Sequence, residues 1–569
     1  QPPMRRSARV LTFWLLLLLS ALPLARPADA REQLVIGITQ FPTTLNPMID
    51  SMLVKTYVLG MAQRQITIFG HDWEPICIWC TELPTFENKR AKRFAVLDAA
   101  GKETGQEGVR TTYTIKPDAL WSDGTPITTD DVLFSWEVGR HPETGVADAN
   151  SYQEIVDIEV EDERTFTIVR DKIDYRYNTL GDFQLLPAHL ERAAFANPRE
   201  YKNRTLYKTA PGTPGLYNGP YRVTEVNEGA YIVLTRNEHW QGKEPAFERI
   251  VVKTIEKTAA LEANLLSGSI DYIAGEAGLT LDQALGFEKR HGDTFDVIYK
   301  PGLIYEHIEF NLDNPVLADV KMRRALLHAI DRQAISDRLF DGNQPVAHGA
   351  VNPLDWAYHD KLPLYPYDPS RAKALLDEAG WTVIKDGVRY RPDGTKLSLE
   401  IMTTAGNRIR ELVEQVLQDY WKRVGIEVTI RNEPARVFFG ETVLKRKFPA
   451  MAMFAWLSAP ESLPKTTLYS TSIPTEENNW AGQNATGYNS PEMDALIDAI
   501  EVELDREKRR ALWAKQQILY ATDLPVIPLY FRSEAYILPK WLKGLRPTGH
   551  KYSSTYWIEQ WRDGSSASQ

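Results

Sequence analysis

Hydrophobic and polar positions follow two rhythms along this chain. Short period-two segments, Arg110–Ile115 (RTTYTI), Thr165–Val169 (TFTIV) and Tyr231–Arg236 (YIVLTR), are set apart by Gly, Pro and Asp and predict strands joined by turns. Leu34–Ile38 predicts another strand, halted by the proline-bearing loop before Pro47. From about residue 300 to 520 strand and helix patterns alternate. The clearest helix carries Ile409, Leu412, Val413, Val416, Leu417, Tyr420 and Val424 on one face; Gly425 ends it, and IEVTI follows as a strand. A second helix opens with Asp368 as cap and Pro369 in its first turn, and closes at Gly380.

The most specified stretch is Thr114–Val138, TIKPDALWSDGTPITTDDVLFSWEV. A strand enters a turn made by Ser122, Asp123, Gly124 and Pro126, and Thr128 to Asp131 has the spacing of a capping box. Val132, Leu133 and Trp136 are expected on the buried side of the helix that follows. At 569 residues the chain is too long for one core. The pattern predicts an α/β protein of two or three lobes.

Composition adds compartment and partners. Apolar residues make up 43% and charged residues 25%, as in a globular protein, and the formal charge of −10 argues against nucleic acid or anionic membranes as partners. Met4–Ala30 has the parts of an export signal: Arg5, Arg6 and Arg9, an apolar run to Leu24, and Ala28-Asp29-Ala30 as a cleavage site. Cleavage after residue 30 is expected, and no cysteine stands there to take a lipid. Cys77 and Cys80 form a lone C-x-x-C, which can close as a local disulfide, act in redox chemistry, or stay reduced. No metal site is expected, since only His71 stands near them.

Catalytic signatures are missing: there is no G-x-S-x-G, H-E-x-x-H, P-loop or G-x-G-x-x-G, and the ten histidines include no i, i+4 pair. An enzyme is not expected, nor a cofactor. What the chain has in quantity is aromatic side chains, 15 Trp, 25 Tyr and 19 Phe, enough to line a large cleft beyond the needs of the core.

The order of segments resembles the peptide/nickel family of bacterial extracellular solute-binding proteins, the oligopeptide- and dipeptide-binding receptors of ABC importers. Five or more stretches carry the likeness, nearly end to end: Trp121-Ser122-Asp123-Gly124 with Asp130-Asp131-Val132, Tyr217–Trp240, Phe310–Ile335, YDPSRAKALLDEAG, GYNSPEMDALIDAI and Leu524–Phe531. The resemblance implies a two-lobed periplasmic-binding-protein fold with mixed sheets in each lobe and an extra domain on lobe I. Lobe I would take 31–75, 203–303 and 524–569, the last with the C-terminal tail; the extra domain would take 76–202 and lobe II 304–523. The W-S-D-G stretch would then be scaffold.

The family's ligand is an extended peptide, and an acidic residue shortly after a Trp usually pairs with its α-ammonium. Here Trp456 matches, but Ser458, Ala459 and Pro460 occupy the acid's place and Glu461 is the nearest carboxylate. Glu461 is expected either to replace the acid or to be a solvated loop residue. Tyr305 and His307 are candidates for the cleft wall, Arg408 and Arg410 for clamping a carboxylate, and Trp480 and Asn484 for stacking and amide bonding. Each has a structural alternative. The expected role is that of a periplasmic receptor, a monomer, which hands a peptide or peptide-like solute to an inner-membrane permease. A non-peptide ligand (an oligosaccharide, an opine-like conjugate or a metal chelate) is the alternative. An exported peptide hydrolase and a periplasmic chaperone are the readings from other classes.

Overall fold

The computed structural model describes residues 30–50, 52–477 and 482–565, with Arg436 by its backbone alone. The expected signal, apart from Ala30, and Trp480 lie outside the described residues.

Its frame is a mixed sheet of ten strands, in the order Glu427–Ile430, Ser398–Met402, Met451–Trp456, Phe295–Phe310, Val526–Pro539, Tyr272–Ile273, Gln33–Ile38, Arg249–Thr254, Tyr231–Arg236 and Tyr221–Asn227. The mixed sheets expected in the two lobes are continuous with each other, because Phe295–Phe310 and Val526–Pro539 are long enough to run through both. A second, antiparallel sheet orders Ala91–Leu97, Glu103–Thr114, Thr165–Arg170 and Asp157–Val160.

The two crossing strands pair from Phe295 with Pro539 to Pro301 with Ser533, and again from Tyr305 with Phe531 onward; their register shifts in between. Pro301 has no N–H for the ladder. Beyond it the chain is held by loops instead: Leu303 N–H donates to the Gly549 carbonyl at 2.9 Å, and Asn352 Nδ2 to the Gly302 carbonyl at 2.6 Å. A Cβ on Gly302 would lie 2.5 Å from the Gly549 oxygen, so the close approach requires glycine there. A ladder interrupted at a Pro-Gly step is a place where two lobes can swing with few hydrogen bonds lost.

One core unites Leu34, Ile36, Tyr57 and Trp561 with Trp121, Val132, Phe134 and Trp136, so the four-stranded unit packs directly on the first lobe. The second lobe has its own core around Ile308, Phe310, Leu326, Leu417 and Trp421. The capping box forms: Asp131 Oδ2 accepts from Thr128 N–H at 2.9 Å and from Trp121 Nε1 at 3.1 Å, and Oδ1 from Ala188 N–H at 2.9 Å. These contacts spend the carboxylate on tying turn, helix and neighbouring loop together. The helix Arg408–Arg423 buries Val413, Leu417, Tyr420 and Trp421, with Ile409, Leu412 and Val416 at the margin of the stripe. Cys77 and Cys80 are joined as a disulfide, the first of the three fates left open by their spacing.

Candidate functional site

Strand alternation around the crossing strand Phe295–Phe310 decides where the candidate residues go. Successive side chains point to opposite faces. Tyr305, His307 and Glu309 therefore share one face, on which Tyr305 also meets its ladder partner Trp456, while Ile304 and Glu306 share the other. Each face borders a cavity.

The cavity on the Glu306 side lies between the lobes. It encloses about 1740 Å³ with its mouth, and its wall takes Thr39, Gln40, Leu53 and Glu276 from the first lobe and Gln344, Arg408 and Arg410 from the second. Thr39 follows the strand Gln33–Ile38 and Glu276 follows Tyr272–Ile273, so both stand at C-terminal strand ends, the usual position of ligand crevices in open α/β sheets.

On the second-lobe wall, Gly406, at φ 87°, turns the chain into the Arg408–Arg423 helix, and Asn407 caps it by accepting from Arg410 N–H at 3.1 Å. Arg410 is engaged within the protein: its Nε donates to Glu306 Oε1 at 2.6 Å, Nη2 to Oε2 at 3.3 Å and Nη1 to Thr404 Oγ1 at 3.2 Å. A buried carboxylate thus holds the guanidinium that was expected to clamp a ligand. Arg408, two residues earlier at the start of the helix, is exposed at the cavity and has no hydrogen bond or ion pair from its side chain among the described residues.

On the facing wall, Glu276 and Glu534 lie together. Ser554 N–H donates to Glu276 Oε1 at 2.7 Å, Glu276 Oε2 has no hydrogen-bond partner among the described residues, and Tyr536 hydroxyl donates to Glu534 Oε2 at 3.1 Å. Burial, followed by the charge of Glu276, pushes Glu534 up to about 8. The cleft therefore sets acid on one wall against an uncommitted guanidinium on the other.

The cavity on the opposite face is walled mostly by the second lobe and encloses about 1150 Å³ with its mouth. Tyr305, His307 and Trp456 form a stack along it, with ring centroids 5.1 Å apart at 10° between Tyr305 and His307 and 6.0 Å apart at 18° between His307 and Trp456. His307 Nε2 lies 3.2 Å from Glu309 Oε1, and Trp456 Nε1 donates to the same oxygen at 3.3 Å.

Glu461 also borders this cavity, with its charge already matched. Its Oε1 accepts from Arg509 Nε at 2.5 Å and Trp513 Nε1 at 3.3 Å, and Oε2 from Trp356 Nε1 at 2.9 Å. Neither expected fate describes it: the carboxylate is neither solvated nor free. Its backbone sits at φ 50°, held by Asp355 Oδ2, which accepts from Glu461 N–H at 2.7 Å, and by the Tyr175 hydroxyl, which donates to the Glu461 carbonyl at 2.5 Å. Burial pushes Asp355 up to about 6 against these backbone bonds.

Asn484 lines neither cavity. It is fully buried, donates to the Tyr469 and Tyr488 carbonyls and accepts from Thr486 and Tyr488, so it orders its own loop rather than a ligand. Sequence reasoning had no reason to single out Glu276, Glu306 or Glu534. Glu309 was accessible to it, since a strand that brings His307 to a cavity brings the residue two positions on to the same face.

Known proteins agree with this architecture. The family model "Bacterial extracellular solute-binding proteins, family 5 Middle" matches residues 95–479. The oligopeptide-binding protein AppA of Bacillus subtilis is 26% identical over 457 residues, 79% of each chain. OppA of Mycobacterium tuberculosis, also an oligopeptide-binding protein, is 29% identical over 434 residues, 73% of this chain and 69% of its own. The oligopeptide-binding protein of Thermus thermophilus, solved with a pentapeptide, superposes with TM-score 0.67 at 28% identity, covering 95% of this chain and 98% of that one. NikZ of Campylobacter jejuni, solved with Ni(L-His), shares the fold with TM-score 0.69 at 22% identity, covering 94% of this chain and 100% of its own. With two thirds of its length inside the family model and a cleft between two hinged lobes, the chain belongs to the bacterial extracellular solute-binding proteins of family 5.

Proposed function

We propose that the protein is the exported receptor of an ABC importer and carries peptides or peptide-like solutes in the interlobe cleft. The observation that carries this reading is the cleft itself: about 1740 Å³ of space, walled by both lobes, with Glu276 and Glu534 facing Arg408. A ligand with an ammonium at one end and a carboxylate at the other meets both walls only when the lobes are closed, so it favours the closed form. Its relatives in Bacillus and Mycobacterium bear the name oligopeptide-binding.

The working division is lobe I at 31–75, 203–303 and 524–569, an extra domain at 76–202 and lobe II at 304–523. The receptor acts as a monomer after loss of its signal. It does no covalent chemistry and delivers the closed, loaded form to a membrane permease.

A non-peptide ligand is the second reading, favoured by Ser458, Ala459 and Pro460 where an acid would follow Trp456. Native mass spectrometry of the purified protein, followed by mild denaturation, decides between them. Release of a mixture of short peptides supports the first reading; a single non-peptide mass overturns it.

A further inference from the structure

The pocket on the Glu309 side of the crossing strand has a charge imbalance that the interlobe cleft does not explain. Among the described residues its lining has three carboxylates, Glu309, Asp355 and Glu461, one imidazole, His307, and the phenols of Tyr305 and Tyr520; neither Lys nor Arg contributes to the wall. Arg509 matches Glu461 from outside the lining, and Asp355 accepts one backbone N–H on each oxygen, from Ala357 and Glu461. Glu309 remains. It is 3% exposed, its Oε1 is shared by His307 and Trp456, and its Oε2 has no hydrogen-bond partner among the described residues. A buried carboxylate oxygen without a donor destabilises the protein unless something brings a donor to it.

We propose that this pocket is a binding site for a compact organic cation, an ammonium or guanidinium group on an apolar body, with Glu309 Oε2 as its acceptor. Three features select that class. The wall carries three carboxylates and one histidine and neither Lys nor Arg, which favours positive charge. The half-buried Trp456, stacked on one side against His307, gives the pocket an aromatic wall for a cation, and the neutral lining of Leu303, Leu468 and Val526 suits an apolar body. A hard divalent cation is a poor fit, since it needs several oxygen ligands and a single carboxylate oxygen here is uncommitted. The inference goes beyond the receptor reading: the pocket lies on the face of the crossing strand opposite the interlobe cleft, and the carboxylate absent after Trp456 is supplied there by another strand.

The test uses benzylammonium as probe, its N-acetyl form as the neutral counterpart, and calorimetric titration of the whole mature protein. Benzylammonium is expected to bind and quench Trp fluorescence, and the N-acetyl form to do neither. Glu309→Gln keeps an oxygen for His307 and Trp456 and replaces only the charged one, so it should weaken binding by about ten- to hundredfold, as loss of a charge-assisted acceptor does. Should that variant fail to fold, Ser458→Lys, at an exposed position of the pocket wall, places a competing ammonium beside the pocket and is expected to weaken binding with the melting temperature unchanged. Equal binding of the N-acetyl form, or unchanged affinity in Glu309→Gln or Ser458→Lys, overturns the proposal. Peptides released from the wild-type protein together with benzylammonium binding that is indifferent to Glu309 would leave the receptor reading standing and this one refuted. Glu309-dependent amine binding without any peptide would do the reverse.

Discussion

Replacing Glu461 with Gln separates a structural carboxylate from a ligand-binding one. The Glu461 and Arg509 side chains are 15% and 8% exposed, and the pair is braced by the Trp356 and Trp513 indoles. Glu461→Gln keeps the shape and one acceptor oxygen but leaves the Arg509 guanidinium buried without a counter-charge. Removing one member of a buried pair costs about 3–5 kcal/mol, and the retained oxygen brings the expected loss to about 3 kcal/mol. For a cooperative unit of about 200 residues, that lowers the melting temperature by about 6–12 °C. Differential scanning calorimetry on ligand-free protein reads this shift, and titration with the ligand identified by mass spectrometry reads affinity. Within the folded range, affinity should change by less than about threefold, because the carboxylate is already spent on Arg509. An unchanged melting temperature together with a large loss of affinity would refute the reasoning and make Glu461 a ligand group.

Two further outcomes follow from the geometry. Tyr175 joins Ala357, Ile500 and Trp513 in a small core between the four-stranded unit and the second lobe, and its N–H donates to the Glu501 carbonyl at 3.0 Å. Tyr175→Ala should therefore shift ligand-free protein toward the open form, seen as a larger radius of gyration by small-angle scattering; an unchanged radius would show that this contact does not hold the lobes. Glu534, raised from its ordinary 4.5 to about 8 by burial and by Glu276, binds its proton more tightly folded than unfolded. Its contribution to stability is full below about pH 4.5 and is lost as pH rises through about 8. Glu534→Gln should raise the melting temperature at pH 8.5 and leave it nearly unchanged at pH 4; equal shifts at both would refute the assignment.

Local physics made much of this protein readable before its fold was known. Thr128 and Asp131 announced a helix because a capping box needs residues only three apart, and Asp368, Pro369 and Gly380 bracketed another for the same reason. The stripe from Ile409 to Tyr420 declared its buried face, since helical period depends on sequence alone, although Trp421 joined it unannounced. The order of motifs was enough to point to the family. What depended on partners far along the chain was hidden. Arg410 looked available until Glu306, 104 residues away, took it, and Glu461 until Arg509, 48 residues on, did the same. Tyr305 and Glu306 are neighbours in sequence, yet they border different cavities because a strand sends them to opposite faces and the ladder with Met451–Trp456 and Val526–Pro539 decides what each face meets. Residue type and spacing determined which elements would form; the pairing of charges and the division of one candidate site into two cavities were decided by tertiary contact, because an ion pair or a pocket wall needs groups that only the folded chain brings within a few ångströms.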